Sequence, residues 1–179
     1  TSIDVDLGSD RELCASETLD LPSNISGDSY EWVNVNTLEV IGSGPTLTVS
    51  SGGTYRLTVT SESCSDTDEI VVKGLPLPSA GFTSSSSRIC AGESVDFTNL
   101  SSLFNPDDFI NGYSWDFDDA TTSTATNPTK TYATAGEYAV VLTVFTNKGC
   151  SDTFPSTIIV DELPVPSFTY SPACPGEAI

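Results

Sequence analysis

Residues 113–144 read YSWDFDDATTSTATNPTKTYATAGEYAVVLTV, and the reading of this stretch decides the fold. Its first piece sets Tyr113, Trp115 and Phe117 on one side against Ser114, Asp116 and Asp118 on the other, the period of two expected of a half-buried strand. Its last piece alternates Tyr138, Val140, Leu142 and Val144 with Ala139, Val141 and Thr143, after the turn residues Ala135 and Gly136. Between them Asn127 and Pro128 argue against a central strand, because proline has no donor for a ladder.

Working outward, the chain repeats itself. Cys14-Ala15-Ser16-Glu17 is answered by Cys90-Ala91-Gly92-Glu93, and Tyr30-Glu31-Trp32 by Tyr113-Ser114-Trp115. Gly53-Thr54-Tyr55 is answered by Gly136-Glu137-Tyr138, and Cys64-Ser65-Asp66-Thr67 by the identical Cys150-Ser151-Asp152-Thr153. A period of roughly 80 residues suits one β-sandwich per repeat. The fold class expected is therefore all-β, with tandem immunoglobulin-like sandwiches at 1–74 and 75–162. Residues 163–179 form a linker and the start of a third unit, with Cys174, Gly176 and Glu177 echoing Cys90, Gly92 and Glu93. The extra length of the second unit falls around Ser101–Gly112.

The joints are marked by Leu75-Pro76-Leu77-Pro78 and Leu163-Pro164-Val165-Pro166. Alternating prolines hold a segment extended and semi-rigid. Helical periodicity is absent. Strands are predicted over Ile3–Leu7, Thr18–Leu21, Tyr30–Val35, Thr46–Val49, Tyr55–Thr60 and Glu69–Val72 in the first unit. In the second they are predicted over Ser79–Ser84, Ser94–Asn99, Tyr113–Phe117, Thr129–Tyr132, Glu137–Thr146 and Thr157–Val160.

The stretch 113–144 resembles the signature of the PKD domain, an immunoglobulin-like sandwich of extracellular proteins: a WDFGDG strand, an NP pair, a tyrosine and a GxYxVxLTV strand. Here Asp118 and Ala120 stand where that pattern has glycines, whereas Asn127, Pro128, Tyr132, Gly136, Tyr138, Val140, Leu142, Thr143 and Val144 follow it. In the first unit Trp32 lacks the following aspartates, so that unit resembles the broader Ig-like and PKD-like relatives.

Charge and composition exclude several functions. Twenty-five acidic residues against six basic give a formal charge of −19, which repels nucleic acid and anionic lipid. No apolar run is long enough to span a bilayer as a helix, so no direct membrane insertion is expected. The chain lacks a methionine and a leader, and reads as an excised piece of a longer protein. With no histidine at all, Ser-His-acid triads, His-based zinc sites and the commonest general base are unavailable. Paired carboxylates for glycoside cleavage remain conceivable chemically, but nothing singles out a pair. The expectation is a protein with no catalytic residues.

Four cysteines fall into two pairs, one per repeat. The connectivity expected is Cys14 with Cys64 and Cys90 with Cys150, each closing a loop of about 50 to 60 residues and contributing roughly 4 kcal/mol by chain entropy. On that reading a Cys14–Cys150 link would contradict the two-unit layout. Zinc ligation is the alternative, without the tight Cys-x-x-Cys spacing it favours. Cys174 awaits a partner beyond the sequence.

Asp107, Asp108, Asp116, Asp118 and Asp119 gather near one strand entrance and are candidate ligands for Ca²⁺, the single cofactor considered; the PKD resemblance implies calcium near the corresponding loop. Solvated carboxylates are the plain alternative. Trp32 and Trp115 are read as core residues, Trp115 beside Tyr113, Phe117 and a disulfide, rather than sugar-stacking platforms. Asn24 and Asn99 match the glycosylation sequon.

The partners implied are neighbouring modules and copies of the chain, with any surface or carbohydrate ligand unknown. The repeat style resembles the large cell-surface adhesins of gliding Bacteroidetes exported by type IX secretion. That resemblance implies an extracellular stalk or filament segment with a structural, adhesive role. The other function kept open is an accessory PKD module that helps a secreted hydrolase present its substrate.

Overall fold

The long alternating segments behave as their period demands. Along 136–146, Val140, Leu142, Val144 and Thr146 are buried while their neighbours face outward, so every second side chain adds to one apolar face. A computed structural model describes residues 3–104 and 108–169 and contains strands but no helix among them.

The first half forms β1 (Arg11–Cys14), β2 (Leu19–Pro22), β3 (Ser29–Asn34), β4 (Glu39–Gly42), β5 (Thr46–Val49), β6 (Gly53–Ser61) and β7 (Cys64–Leu75). One sheet runs β1-β7-β6-β3-β4 and faces the pair β2-β5. The second half repeats the plan with β8 (Phe82–Ser84), β9 (Arg88–Cys90), β10 (Ser94–Asn99), β11 (Ile110–Asp116), β12 (Thr122–Ser123), β13 (Thr129–Thr131), β14 (Gly136–Thr146) and β15 (Ser151–Asp161). Its sheets are β12-β11-β14-β15-β9 and β13-β10-β8. In each half the short early strand lies parallel to the last one, β1 on β7 and β9 on β15; the other ladders are antiparallel.

Two separate cores result. Val5, Leu7, Leu21, Trp32, Tyr55, Leu57, Val59, Ile70 and Val72 belong to one, and Phe82, Phe97, Trp115, Phe117, Tyr132, Val140, Leu142 and Ile158 to the other. Trp32 and Trp115 are each fully buried. Each indole N–H donates to a loop carbonyl, Trp32 to Gly44 at 3.0 Å and Trp115 to Ala125 at 2.8 Å, which removes the penalty of a buried unpaired donor. Among the described residues no disulfide lies against Trp115. Phe82 and Phe97 fill that space, with ring centroids at 5.0 and 5.6 Å from the indole.

Tyr55 and Tyr138 match in role. Each phenol donates to the carbonyl four residues earlier, Ser51 at 2.8 Å and Thr134 at 3.0 Å, the tyrosine corner of immunoglobulin-like sandwiches. The rings also lie over Gly53 and Gly136.

The strand expectations need four corrections. Ile3–Leu7 is not a strand: it makes no ladder, and its amides are taken by carboxylates, Val5 N–H by Asp66 and Leu7 N–H by Asp68, both at 2.8 Å. Ser79–Ser84 shortens to Phe82–Ser84 because the Ala80 amide goes to Asp152 in the same way, at 2.8 Å. Strands β1, β4, β9 and β12 were not expected: none exceeds four residues, β4 and β12 bury no side chain, and β1 and β9 bury only Leu13, Cys14 and Ile89. Strands β7 and β15 run well past Glu69–Val72 and Thr157–Val160, since long polar stretches gain their pairing from β6 and β14. Pro155 is tolerated inside β15 because β9 covers only residues 159–161 of its other edge.

Candidate functional site

The site that the fold builds is a joint between the two sandwiches. The linker leaves β7 at Leu75, where the parallel partner β1 also ends, with Cys14 opposite Leu75. From the second half comes the hairpin that connects β14 to β15. Its turn is closed by Thr146 N–H to Cys150 O at 2.8 Å and Gly149 N–H to Thr146 O at 3.0 Å. Gly149 takes φ 87°, the left-handed conformation that glycine adopts without steric cost. The buried Thr146 hydroxyl accepts the Cys150 amide at 3.1 Å, and Asn147 is tied to Phe109 in both directions at 3.0 Å. The hairpin is thus a shaped presenter of one thiol.

Cys14 and Cys150 form a disulfide, with Cα atoms 5.6 Å apart across 136 residues of sequence. Leu75 packs on it, joined by the partly buried Leu77. Lys148 Nζ reaches Glu12 Oε1 at 3.2 Å, and Lys73 approaches the same carboxylate at 4.0 Å. Exposed ion pairs of this kind contribute little individually, so the bond and the apolar contact dominate. An open hollow of about 460 Å³ beside the joint is lined by Leu13, Ser16, Ser51, Gly52, Gly74 and Pro76 among others. Apart from the bonded Cys14, that lining holds no titratable side chain, so its serine hydroxyls have no acid or base beside them in the hollow.

The expected pairing of Cys14 with Cys64 and Cys90 with Cys150 is therefore corrected, and Cys64 and Cys90 are free thiols. The reason is geometric. Cys14 stands beside the end of β7 and Cys64 begins it; twelve residues of extended chain place them about 35 Å apart at ~3.3 Å per residue. Cys90 pairs with Asp161 at the end of β15, while Cys150 precedes its start. Neither intra-unit bond is reachable. Nor does the Cys14–Cys150 link merge the halves, contrary to expectation: each keeps its own core, and the bond joins their ends. Cys174 lies outside the described residues.

Three of the carboxylates proposed for calcium, Asp116, Asp118 and Asp119, take part in hydrogen bonds around the turn. Asp116 accepts the Asp118 amide at 2.9 Å, Asp118 accepts the Ala139 amide at 2.9 Å, and Asp119 accepts from Thr121. Asp119 also pairs with Lys130 Nζ at 2.5 Å. Asp107 lies outside the described residues, and among those described no three Asp, Glu, Cys or His side chains converge on one point. Burial by itself pushes the Asp119 carboxyl up, but Lys130 and Thr121 outweigh it and hold its pKa below the ordinary value. Burial pushes the Tyr132 phenol upward, helped by the charges of Asp119, Tyr138 and Asp118. Asp118 and Ala120 adopt φ 60° and 63°, so the tight turn survives without the two glycines of the family pattern.

Sequence reasoning missed Asp66, Asp68 and Asp152, which clasp the entering chain of each sandwich. The identical Cys-Ser-Asp-Thr in both halves was the signal: its aspartate forms the clasp in each half, and its cysteine serves the joint in the second half alone. Asn24 shares in this work, donating to Asp4 O at 3.2 Å and accepting the Asp6 amide at 3.1 Å.

Two antiparallel sheets packed face to face, an early strand parallel to the last and a tyrosine corner define an immunoglobulin-like β-sandwich module. Residues 76–160 match the model of the PKD domain family, and through them the chain belongs to that family. It is 46% identical over 82 residues to the pre-pro-metalloprotease PrtV of Vibrio cholerae, covering 44% of this chain and 9% of that protein. Microbial collagenase of Vibrio alginolyticus is 39% identical over 72 residues, 40% of this chain and 9% of that protein. The crystal structure of the PKD1 domain from Vibrio cholerae metalloprotease PrtV is 44% identical, covers 48% of this chain and 98% of its own, and superposes with a TM-score of 0.42. The chain thus spans about a tenth of the curated relatives it matches.

Proposed function

We propose that this chain is a stiff, non-catalytic spacer segment of a larger protein outside the reducing cytoplasm, setting the distance between more specialised parts. The observation that carries this reading is the joint: a disulfide, a buried leucine and an ion pair fasten two independently cored sandwiches end to end. A hinge that served only to connect would need none of these, since inter-domain motion is the default for a short linker. Structural disulfides also belong to oxidising compartments. A surface charge of −19 keeps neighbouring stalks apart by repulsion. An adhesin or filament at the cell surface, exported by a type IX route as in gliding bacteria, is the particular form that the repeat style favours.

Residual dipolar couplings test the spacer reading directly. In the oxidised chain the two sandwiches share one alignment tensor; after reduction, with the β-sheet spectrum unchanged, the tensors diverge. Distinct tensors in the oxidised chain would end the proposal.

A second reading is favoured by the Vibrio relatives, a collagenase and a metalloprotease by name: an accessory module beside a catalytic domain. Fusion to such a domain would then raise turnover of insoluble but not soluble substrate.

A further inference from the structure

Each sandwich carries both halves of the joint, and only one half of each is used. Cys90 occupies in the second sandwich the place of Cys14 in the first. Cys14 pairs with Leu75 and Cys90 with Asp161 on the parallel last strand. The next amides donate alike, Ala15 to Leu75 O and Ala91 to Asp161 O at 2.9 Å, and Glu17 and Glu93 close the same turn at 3.1 Å. Cys64 likewise matches Cys150. Each ends the hairpin before the last strand, two residues ahead of the aspartate that clasps the entering chain.

Cys64 is exposed and Cys90 partly so, neither bonded. Three further observations mark the Cys90 end as an open joint. Leu75 is 4% exposed against the Cys14–Cys150 bond, whereas Leu163, which opens the matching Leu-Pro-Val-Pro motif two residues beyond the strand position that Asp161 holds opposite Cys90, is 61% exposed. Val165, the counterpart of Leu77, is 90% exposed. The charges also match across the repeat with sign reversed. Glu12, two residues before Cys14, meets Lys148, two before Cys150; the corresponding residues at the open ends are Glu62 and Arg88, which here forms a two-pronged pair with Asp161 at 2.6 and 2.7 Å.

We propose that Cys90 forms a disulfide with a further sandwich module docked on the far end of the second one, a module whose last hairpin presents Cys-Ser-Asp-Thr preceded by an acidic residue, as Cys64 and Glu62 do here. The inference rests on the spacer reading. It makes the array a chain of end-to-end bonds in which every module is stapled to its successor, with Leu163 and Val165 covered by the newcomer and Arg88 shared between Asp161 and the newcomer's acid, as Glu12 is shared between Lys73 and Lys148. The bond forms by thiol–disulfide exchange with a disulfide oxidant. The Cys90 thiolate attacks one oxidant sulfur and expels the other as thiolate. The incoming cysteine then displaces the second sulfur, so one oxidant disulfide becomes two thiols and the two protein thiols become one disulfide.

The test extends the chain after Pro166 with a second copy of residues 3–74, changing Cys64 of the first module and Cys14 of the added one to Ser. Cys14–Cys150 serves as internal reference during oxidation in glutathione buffer, with linked peptides mapped by mass spectrometry. The expected result is a Cys90–Cys64 peptide forming within about threefold of the rate of the reference bond, since both thiols share a similar effective concentration. Glu62→Lys in the added module, or Leu163→Ser with Val165→Ser, slows it roughly fivefold and leaves the reference unchanged. Cys90 remaining open to alkylation while Cys14–Cys150 closes overturns the inference. So does a rate indifferent to those substitutions, which would mean nearness of thiols without a built joint. Neither result touches the spacer reading, which stands or falls on the two-module alignment tensors.

Discussion

At Ala120 the backbone holds φ 63° with a methyl group attached, a conformation that costs an L-residue roughly 1–2 kcal/mol relative to glycine's freedom. Ala120→Gly is therefore expected to raise the stability of the second sandwich by about 1 kcal/mol, a rise in Tm of ~4–8 °C measured by calorimetry. Asp118→Gly relieves a similar strain but forfeits the hydrogen bond to the Ala139 amide. Asp119 gives the acid response. Its folded pKa lies below the ordinary 3.8, so the stability it contributes is complete above that value and is lost as pH falls through the lowered one. Urea titrations from pH 5 to 2 should show a shallower acid loss in Asp119→Asn than in the parent. At this scale the sequence was legible where strand alternation chose between environments, as it set Trp115 on the core side with Tyr113 and Phe117 rather than on a sugar-stacking surface. The aspartates around the turn were not, because a carboxylate serves equally as turn acceptor, ion-pair partner or metal ligand until its neighbours are known.

Among elements, the segments before each first strand were misread for a physical reason. Ile3–Leu7 has strand-like alternation, and Val5 and Leu7 are buried as it demands, yet side-chain carboxylates satisfy its amides where a ladder would have done so. Removing the clasp leaves a part-buried N–H without a partner, which costs about 1–3 kcal/mol. Asp152→Ala should lower the unfolding free energy of the second sandwich by that amount and leave the first unchanged, read by denaturant titration of tryptophan fluorescence with Trp32 or Trp115 replaced by Phe in turn. The short strands β4 and β12 were illegible because they bury no alternating face, whereas the equally short β5 was legible through its buried Leu47 and Val49. Strands β6 and β14, with nine and eleven residues, were legible for the opposite reason.

Over the whole molecule, the Cys14–Cys150 bond encloses most of both cores, and this changes how the chain transmits force. Pulled from its ends while oxidised, the chain passes tension across the sulfur bridge, and residues 15–149 add no length. Single-molecule force spectroscopy should find, until the bond is reduced, only the short extension of the segments outside the bridge, β15 and the clasped chain before β1. Two steps of about 25–30 nm should then appear, the span of roughly 80 residues at 3.3–3.6 Å each. Full-length module steps in the oxidised chain would contradict the connectivity.

The sequence by itself determined the β character, the two tryptophan-centred cores and the repeat that places matched cysteines in each unit, because strand period and internal similarity are local properties of the chain. The choice among those cysteines belonged to the tertiary structure alone. Laying an early strand parallel to the last one sends the two thiols of a unit to opposite ends of a long strand, and only the packed sandwich shows which end meets its neighbour.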